Sequence, residues 1–220
     1  MGLQIFDLAL IMLTELHKKF LLGLFLLLAC ATVAQQVPIQ KGATELQIWA
    51  GGGSGLGHSD GTQVADAGFR YGLVLTDQHG PAWLRGNLEY AFDVVPLYLF
   101  FQDHNVLTTP GQSVQRRQTV YGGSITPLVV KWNFTSGKRI VPFVAAEGSA
   151  IFTTQDVPAG DTSVVNFGSG IASGVQFLRG AHRAFSVSGH LMHISNASLG
   201  NHNPGINIAL QLRLGYQWWR

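Results

Sequence analysis

At 220 residues the chain is long enough for one domain with a sizeable core. Charged residues supply 12% of it and apolar residues 46%, a balance that argues against disorder. A net charge of +2, with no basic run beyond pairs such as Arg116-Arg117, argues against a nucleic-acid surface.

Residues 1–34 are predicted to be an export signal. Lys18 and Lys19 precede an apolar run from Phe20 to Leu28, and the small-residue stretch Ala29-Cys30-Ala31-Thr32-Val33-Ala34 follows. The run is shorter than the roughly 20 residues a membrane-spanning helix needs. Met12 offers an alternative start that gives the signal an ordinary length. Leu27-Leu28-Ala29-Cys30 also resembles a lipoprotein cleavage box, although a plain cysteine within the signal is the simpler reading. In both cases the mature chain, predicted as one β-barrel domain over 35–220, has no disulfide and must rely on packing and strand pairing.

No sustained helical period occurs in that domain. Eight segments instead alternate apolar with polar or small residues: 43–50, 64–76, 82–93, 117–133, 139–153, 164–178, 183–195 and 205–219. In the second, Phe69, Tyr71 and Leu73 oppose Gly68, Arg70 and Gly72. In the third, Leu84, Leu88, Tyr90 and Phe92 oppose Arg85, Asn87, Glu89 and Asp93. The eighth sets Ile206, Ile208, Leu210, Leu212, Leu214, Tyr216 and Trp218 against Asn207, Ala209, Gln211, Arg213, Gly215 and Gln217.

A soluble sheet or lipocalin-like barrel buries the apolar face, whereas a membrane barrel turns it to lipid and keeps the polar face in its lumen. Three features favour the membrane barrel. Arg70, Arg85, Glu89 and Arg213 lie opposite a very apolar face, as lumenal ion pairs would. Trp132, Phe134, Tyr98, Phe100, Phe101, Trp218 and Trp219 cluster near strand ends, where interfacial girdles form. The connections 51–63, 77–81, 94–116, 134–138, 154–163, 179–182 and 196–204 alternate long and short, as outside loops and periplasmic turns do. The predicted fold is an all-β, eight-stranded antiparallel up-and-down barrel in a bacterial outer membrane.

Chemistry is concentrated in 190-HLMHISNASLGNHNPGIN-207. His193 and Ser195 are two residues apart, so on a strand they share a face. A serine hydroxyl needs a neighbouring base to take its proton, and an imidazole at that spacing suits the task. Asn196 follows and could donate to an oxyanion. Phe185, Val187 and Leu191 share parity with the pair, which places it on the lipid-facing side near an outside loop. The competing reading is a His and a Ser that merely sit at a polar interface.

The stretch His193-Ile194-Ser195-Asn196-Ala197, followed by Asn203-Pro204-Gly205-Ile206, closely resembles the signature of the lipid A 3-O-deacylases, the PagL family. The resemblance is specific over 183–207. It implies an outer-membrane esterase that removes the ester-linked 3-hydroxyacyl chain of lipid A, with lipopolysaccharide as substrate and outer-membrane lipid as surroundings. Ser195 would be the nucleophile, His193 the general base and Asn196 part of the oxyanion hole, with no cofactor and no metal. The family's acidic member falls at Asn207, where a glutamate is expected. Strand parity puts Asn207 on the lumenal side of the eighth strand unless a bulge near Gly205 re-aims it. Glu89 and Glu147 are stand-in acids by name alone.

Other signals are weaker. The stretch 51-GGGSGLG-57 lacks the Lys-Ser/Thr of a P-loop and reads as a flexible outside loop. No G-x-S-x-G elbow occurs. His190 and His193 should point to opposite faces, which argues against zinc. His58, His79 and His104 read as solvated loop residues. Three functions stay open at this point: the lipid A esterase, a non-catalytic anchoring or adhesive barrel that retains a degenerate site, and a small secreted lipid-binding barrel. A homodimer is an open assembly state.

Overall fold

The computed structural model describes residues 38–56, 61–109, 112–135 and 139–220. The predicted export signal, Cys30 and His58 lie outside these residues. Eight antiparallel strands, β1 (Thr44–Gly55), β2 (Gln63–Val74), β3 (Asn87–Thr109), β4 (Gln112–Asn133), β5 (Ile140–Thr153), β6 (Val165–Arg179), β7 (Arg183–Ser195) and β8 (Ile206–Trp219), pair in sequence order. β8 returns to pair with β1 and closes the barrel.

The burial pattern is that of a barrel in lipid. On β8, Leu210, Leu212 and Leu214 are 55%, 54% and 63% exposed on the outside. Between them Gln211 and Arg213 are buried inside. Phe69, Tyr71 and Leu73 on β2, and Phe185, Val187 and Leu191 on β7, continue the outward apolar belt. In water such a surface would be an aggregation hazard, whereas in hydrocarbon it is the favoured arrangement.

The lumen is filled. Lys131 lies between Glu45 and Glu89, Arg70 pairs with Asp93 through two hydrogen bonds, and Arg213 reaches both Asp66 and Glu147. Every one of these charges is buried, so the partners are what make their desolvation tolerable. Apolar clusters close the polar middle at both ends. Trp49, Tyr98, Phe100, Met192, Ile194 and Ile206 belong to the one beneath the outer loops. Ile39, Val74, Leu178 and Trp219 belong to the one at the end that holds both ends of the barrel domain.

Several predicted boundaries are revised. The stretch 94–116 is not a loop, since β3 runs on to Thr109 and β4 begins at Gln112. Pro96 interrupts the alternation there, but it sits in a register shift between Val95 and Tyr98, where a missing N–H is tolerated. β1 likewise continues to Gly55, through glycines predicted as loop. A Cβ on Gly53 would meet Leu210 O at 2.5 Å, so backbone proximity explains that glycine. The third strand starts at Asn87, after a 3-10 turn over Ala82–Leu84. Arg85 is therefore exposed, with Nε donating to Gln78, and is no lumenal ion-pair member. The β2–β3 connection spans 75–86, so the strict long–short alternation of loops does not hold. Tyr98, Phe100 and Trp219 point inward and are not girdle residues.

Candidate active site

β7 ends at Ser195 after a strictly alternating run. Met192 and Ile194 are buried in the lumen, while Leu191 and His193 are exposed on the outside and Ser195 is half-buried. Two strand residues span about 6.7 Å, within which a serine and an imidazole on one face can meet. In the β6 register, Ser195 sits opposite Phe167 and His193 opposite Ser169, and Phe167 and Ile171 extend the apolar wall below. The His–Ser pair thus lies at the rim of the lipid-facing belt, at the end opposite the barrel's termini.

The β8 register shifts beside this pair. His190 faces Gln211 but Met192 faces Ile208, so between these pairs one residue of β7 opposes two of β8. The extra residue inverts the parity of β8: Leu210 is outward, whereas Ile206 is fully buried. It also places Asn207 directly opposite His193. The regular alternation expected along β8 is thus broken between Ile208 and Gln211, deeper in the strand than Gly205. Gly205 serves a different purpose. Its φ of +69° lies in the left-handed region, and a Cβ there would stand 2.9 Å from the His193 ring.

Asn196 opens the β7–β8 loop and organises it. Its backbone N–H donates to Asn203 Oδ1 at 3.1 Å, its Nδ2 donates to His202 O at 2.7 Å, and its Oδ1 accepts from Ser198 N at 2.9 Å. Ala197 and Ser198, with φ of 49° and 64°, follow this turn. The loop is braced from outside by the β5–β6 loop. Asn201 Nδ2 donates to Asp161 Oδ2 at 2.9 Å, and His202 N donates to Asp161 O at 3.3 Å. Asn203 stood out in the sequence only as part of the signature and Asp161 not at all, because an Asx residue in a loop carries no signal of its partner.

A second serine–histidine constellation was also missed. Ser188 Oγ lies 2.9 Å from His190 Nε2, and His190 Nδ1 lies 2.9 Å from Glu147 Oε1. Its geometry fits a triad, but its surroundings do not. All three residues are buried in the lumen, and the cavity beside them measures about 20 Å³, room for little more than a water. The constellation fills space. Glu147 therefore serves His190, on the opposite side of the wall from His193, and Glu89 is held at Lys131. Among the described residues no group of three or more His, Cys, Asp or Glu could hold a metal ion.

Comparison with known proteins adds the family. The model of lipid A 3-O-deacylase (PagL) matches residues 61–217, well over half of the chain. The chain belongs to the PagL family. Its fold is similar to that of the outer-membrane protein OprG from Pseudomonas aeruginosa, at a TM-score of 0.52, 10% identity, and coverage of 84% of this chain and 99% of that one. The crystal structure of the outer-membrane enzyme PagL aligns with 21% identity and a TM-score of 0.49, over 78% of this chain and 97% of that one. No curated protein matches. PagL membership and the barrel assign the chain to the bacterial outer membrane.

Proposed function

We propose that the chain is an outer-membrane esterase that releases the 3-hydroxyacyl chain ester-linked at the 3-position of lipid A. The observation that carries this reading is the placement of His193 and Ser195 on the outside of the barrel, at the loop end of the apolar belt. A glycolipid in the surrounding leaflet would present its ester bonds at that depth, where sugar meets hydrocarbon. Family membership supplies the substrate class.

In this mechanism His193 takes the proton of Ser195 Oγ as the oxygen attacks the ester carbonyl. The tetrahedral intermediate collapses, the C–O bond to the sugar breaks, and the imidazolium returns the proton to the departing sugar hydroxyl. Water, deprotonated by the same imidazole, then hydrolyses the acyl-serine and frees a 3-hydroxy fatty acid. Asn196 is assigned to the oxyanion. Its Nδ2 carries a second hydrogen beyond the one given to His202 O. Asn207, the register partner of His193, is assigned to orient the imidazole. An amide can do this but supplies no full charge to the imidazolium.

That substitution favours a second reading, a barrel that keeps the site's geometry and has lost its chemistry. Mass spectra of lipid A from membranes carrying the protein separate the two. Loss of one hydroxyacyl chain, absent with Ser195→Ala, supports the esterase, and unchanged lipid A from the native protein removes it.

A further inference from the structure

We propose that the cleft between the β3–β4 hairpin and the β5–β6 loop holds an uncharged sugar unit of the saccharide that lipopolysaccharide carries above lipid A. The identity of that saccharide rests on the function proposed above. The existence of the cleft does not. It has a volume of about 480 Å³ and opens at the same end of the barrel as Ser195. Asp103, His104 and Asn105 of β3, Gln115 and Gln118 of β4, and Asp156 of the loop contribute to its walls.

The chemistry of these walls selects the ligand. A side-chain amide offers donors and an acceptor together, and so matches a sugar hydroxyl, which is both. Carboxylates accept from hydroxyls in the same way. Among the described residues no lysine or arginine lines the cleft. Arg117, on the strand alongside, is turned to Gly61 O, Gln63 and Asp103. A phosphate would find no cation among these lining residues, whereas a neutral polyol finds partners on both sides. His104 was expected to be a solvated loop residue, but it stands within β3 with its Nδ1 buried and without a hydrogen-bond partner. Beside it Gln102, 1% exposed, donates Nε2 to Asp156 O at 2.8 Å while its Oε1 has no partner. Unpaired buried polar atoms are costly, and here His104 brings one to the wall of the cleft, with a second on Gln102 behind it.

The cleft is also joined to the catalytic loop. Asp156 and Gly160 line it, and the next residue, Asp161, accepts from Asn201 and His202 of the β7–β8 loop. A glycolipid whose ester lies at Ser195 would send its saccharide out of the membrane beside this bridge.

The test uses the full barrel in detergent micelles and a Gln115→Ala/Gln118→Ala variant, both changes lying on the protruding hairpin. Saccharide freed from lipopolysaccharide by mild acid is titrated calorimetrically, with a linear glucan fragment as control. The native protein should bind the released saccharide and not the glucan, and the variant should bind about tenfold more weakly. With intact lipopolysaccharide as substrate the variant's KM should rise by a similar factor with kcat unchanged, while kinetics on free lipid A stay the same. Absence of saccharide binding by the native protein, equal binding by the variant, or equal binding of the glucan overturns the inference, even where deacylation proceeds. Saccharide binding without hydrolysis of either substrate supports the cleft and removes the proposed esterase instead.

Discussion

A Cβ placed on Gly205 would lie 2.9 Å from Cε1 of His193, so the glycine and the imidazole share one contact surface. The backbone of Gly205 is also in the left-handed region, at φ +69°. Two independent demands therefore meet at one residue, a rare backbone conformation and an absent side chain. Gly205→Ala should move the ring or unwind the start of β8, at a conformational cost of about 1 kcal/mol or more. The expected outcome is a loss of deacylation of at least about tenfold in a barrel that still shows heat-modifiable gel migration. Native turnover in Gly205→Ala would mean that His193 does not need its present position.

The register partnership between His193 and Asn207 makes a directional prediction. If the amide orients the ring without stabilising its charge, a carboxylate at the same position adds what is missing. Asn207→Glu should raise kcat, by analogy with the about four decades that separate Asp from Asn in a serine protease triad. A gain of tenfold or more would support the assignment. Unchanged or lower turnover would take Asn207 out of the site.

Most of the barrel was legible in the sequence because lipid imposes a strict alternation on every strand that crosses it. β7 and β8 show this from Phe185 to Leu191 and from Leu210 to Trp218. Legibility failed where alternation is not enforced. Above the membrane, β3 and β4 continue as a hairpin whose alternation is broken at Pro96. At the glycines of β1, the reason for the residue is a neighbour's backbone. The face of the candidate pair was legible for the same reason. His193 and Ser195 obey β7 parity, so their face followed from spacing. The position of Asn207 depends on one extra residue in β8, and a bulge leaves no periodic trace in a single chain. The Ser188–His190–Glu147 set shows the converse limit, because a sound geometry on the inner face has no path for a substrate.

That inner set yields a test of its own. Ser188→Ala should leave deacylation unchanged, whereas Ser195→Ala should abolish it. A fluorophosphonate ester probe applied to the folded barrel should label Ser195 alone, as read by peptide mass spectrometry. Labelling of Ser188 would show that the lumen is open to small molecules, contrary to its apolar closure at both ends.

The last prediction concerns what holds the wall in shape. Lys131 is 1% exposed and stands between Glu45 and Glu89, both fully buried, with Nζ 2.9 Å from Glu89 Oε1. Removing the cation leaves two carboxylates facing each other in a closed lumen. The cost comes from uncompensated charge, which outweighs any gain from filling the space with methylenes. Lys131→Met should therefore destabilise the barrel by about 3–5 kcal/mol, the usual penalty for breaking a buried ion pair on one side. Leu212→Ala, on the lipid face, opens no internal cavity and should cost far less. Urea unfolding in lipid vesicles, followed by tryptophan fluorescence, compares the two directly. Equal midpoints would mean that the lumenal charges contribute little to stability, and that strand pairing and the lipid-facing belt hold the barrel without them.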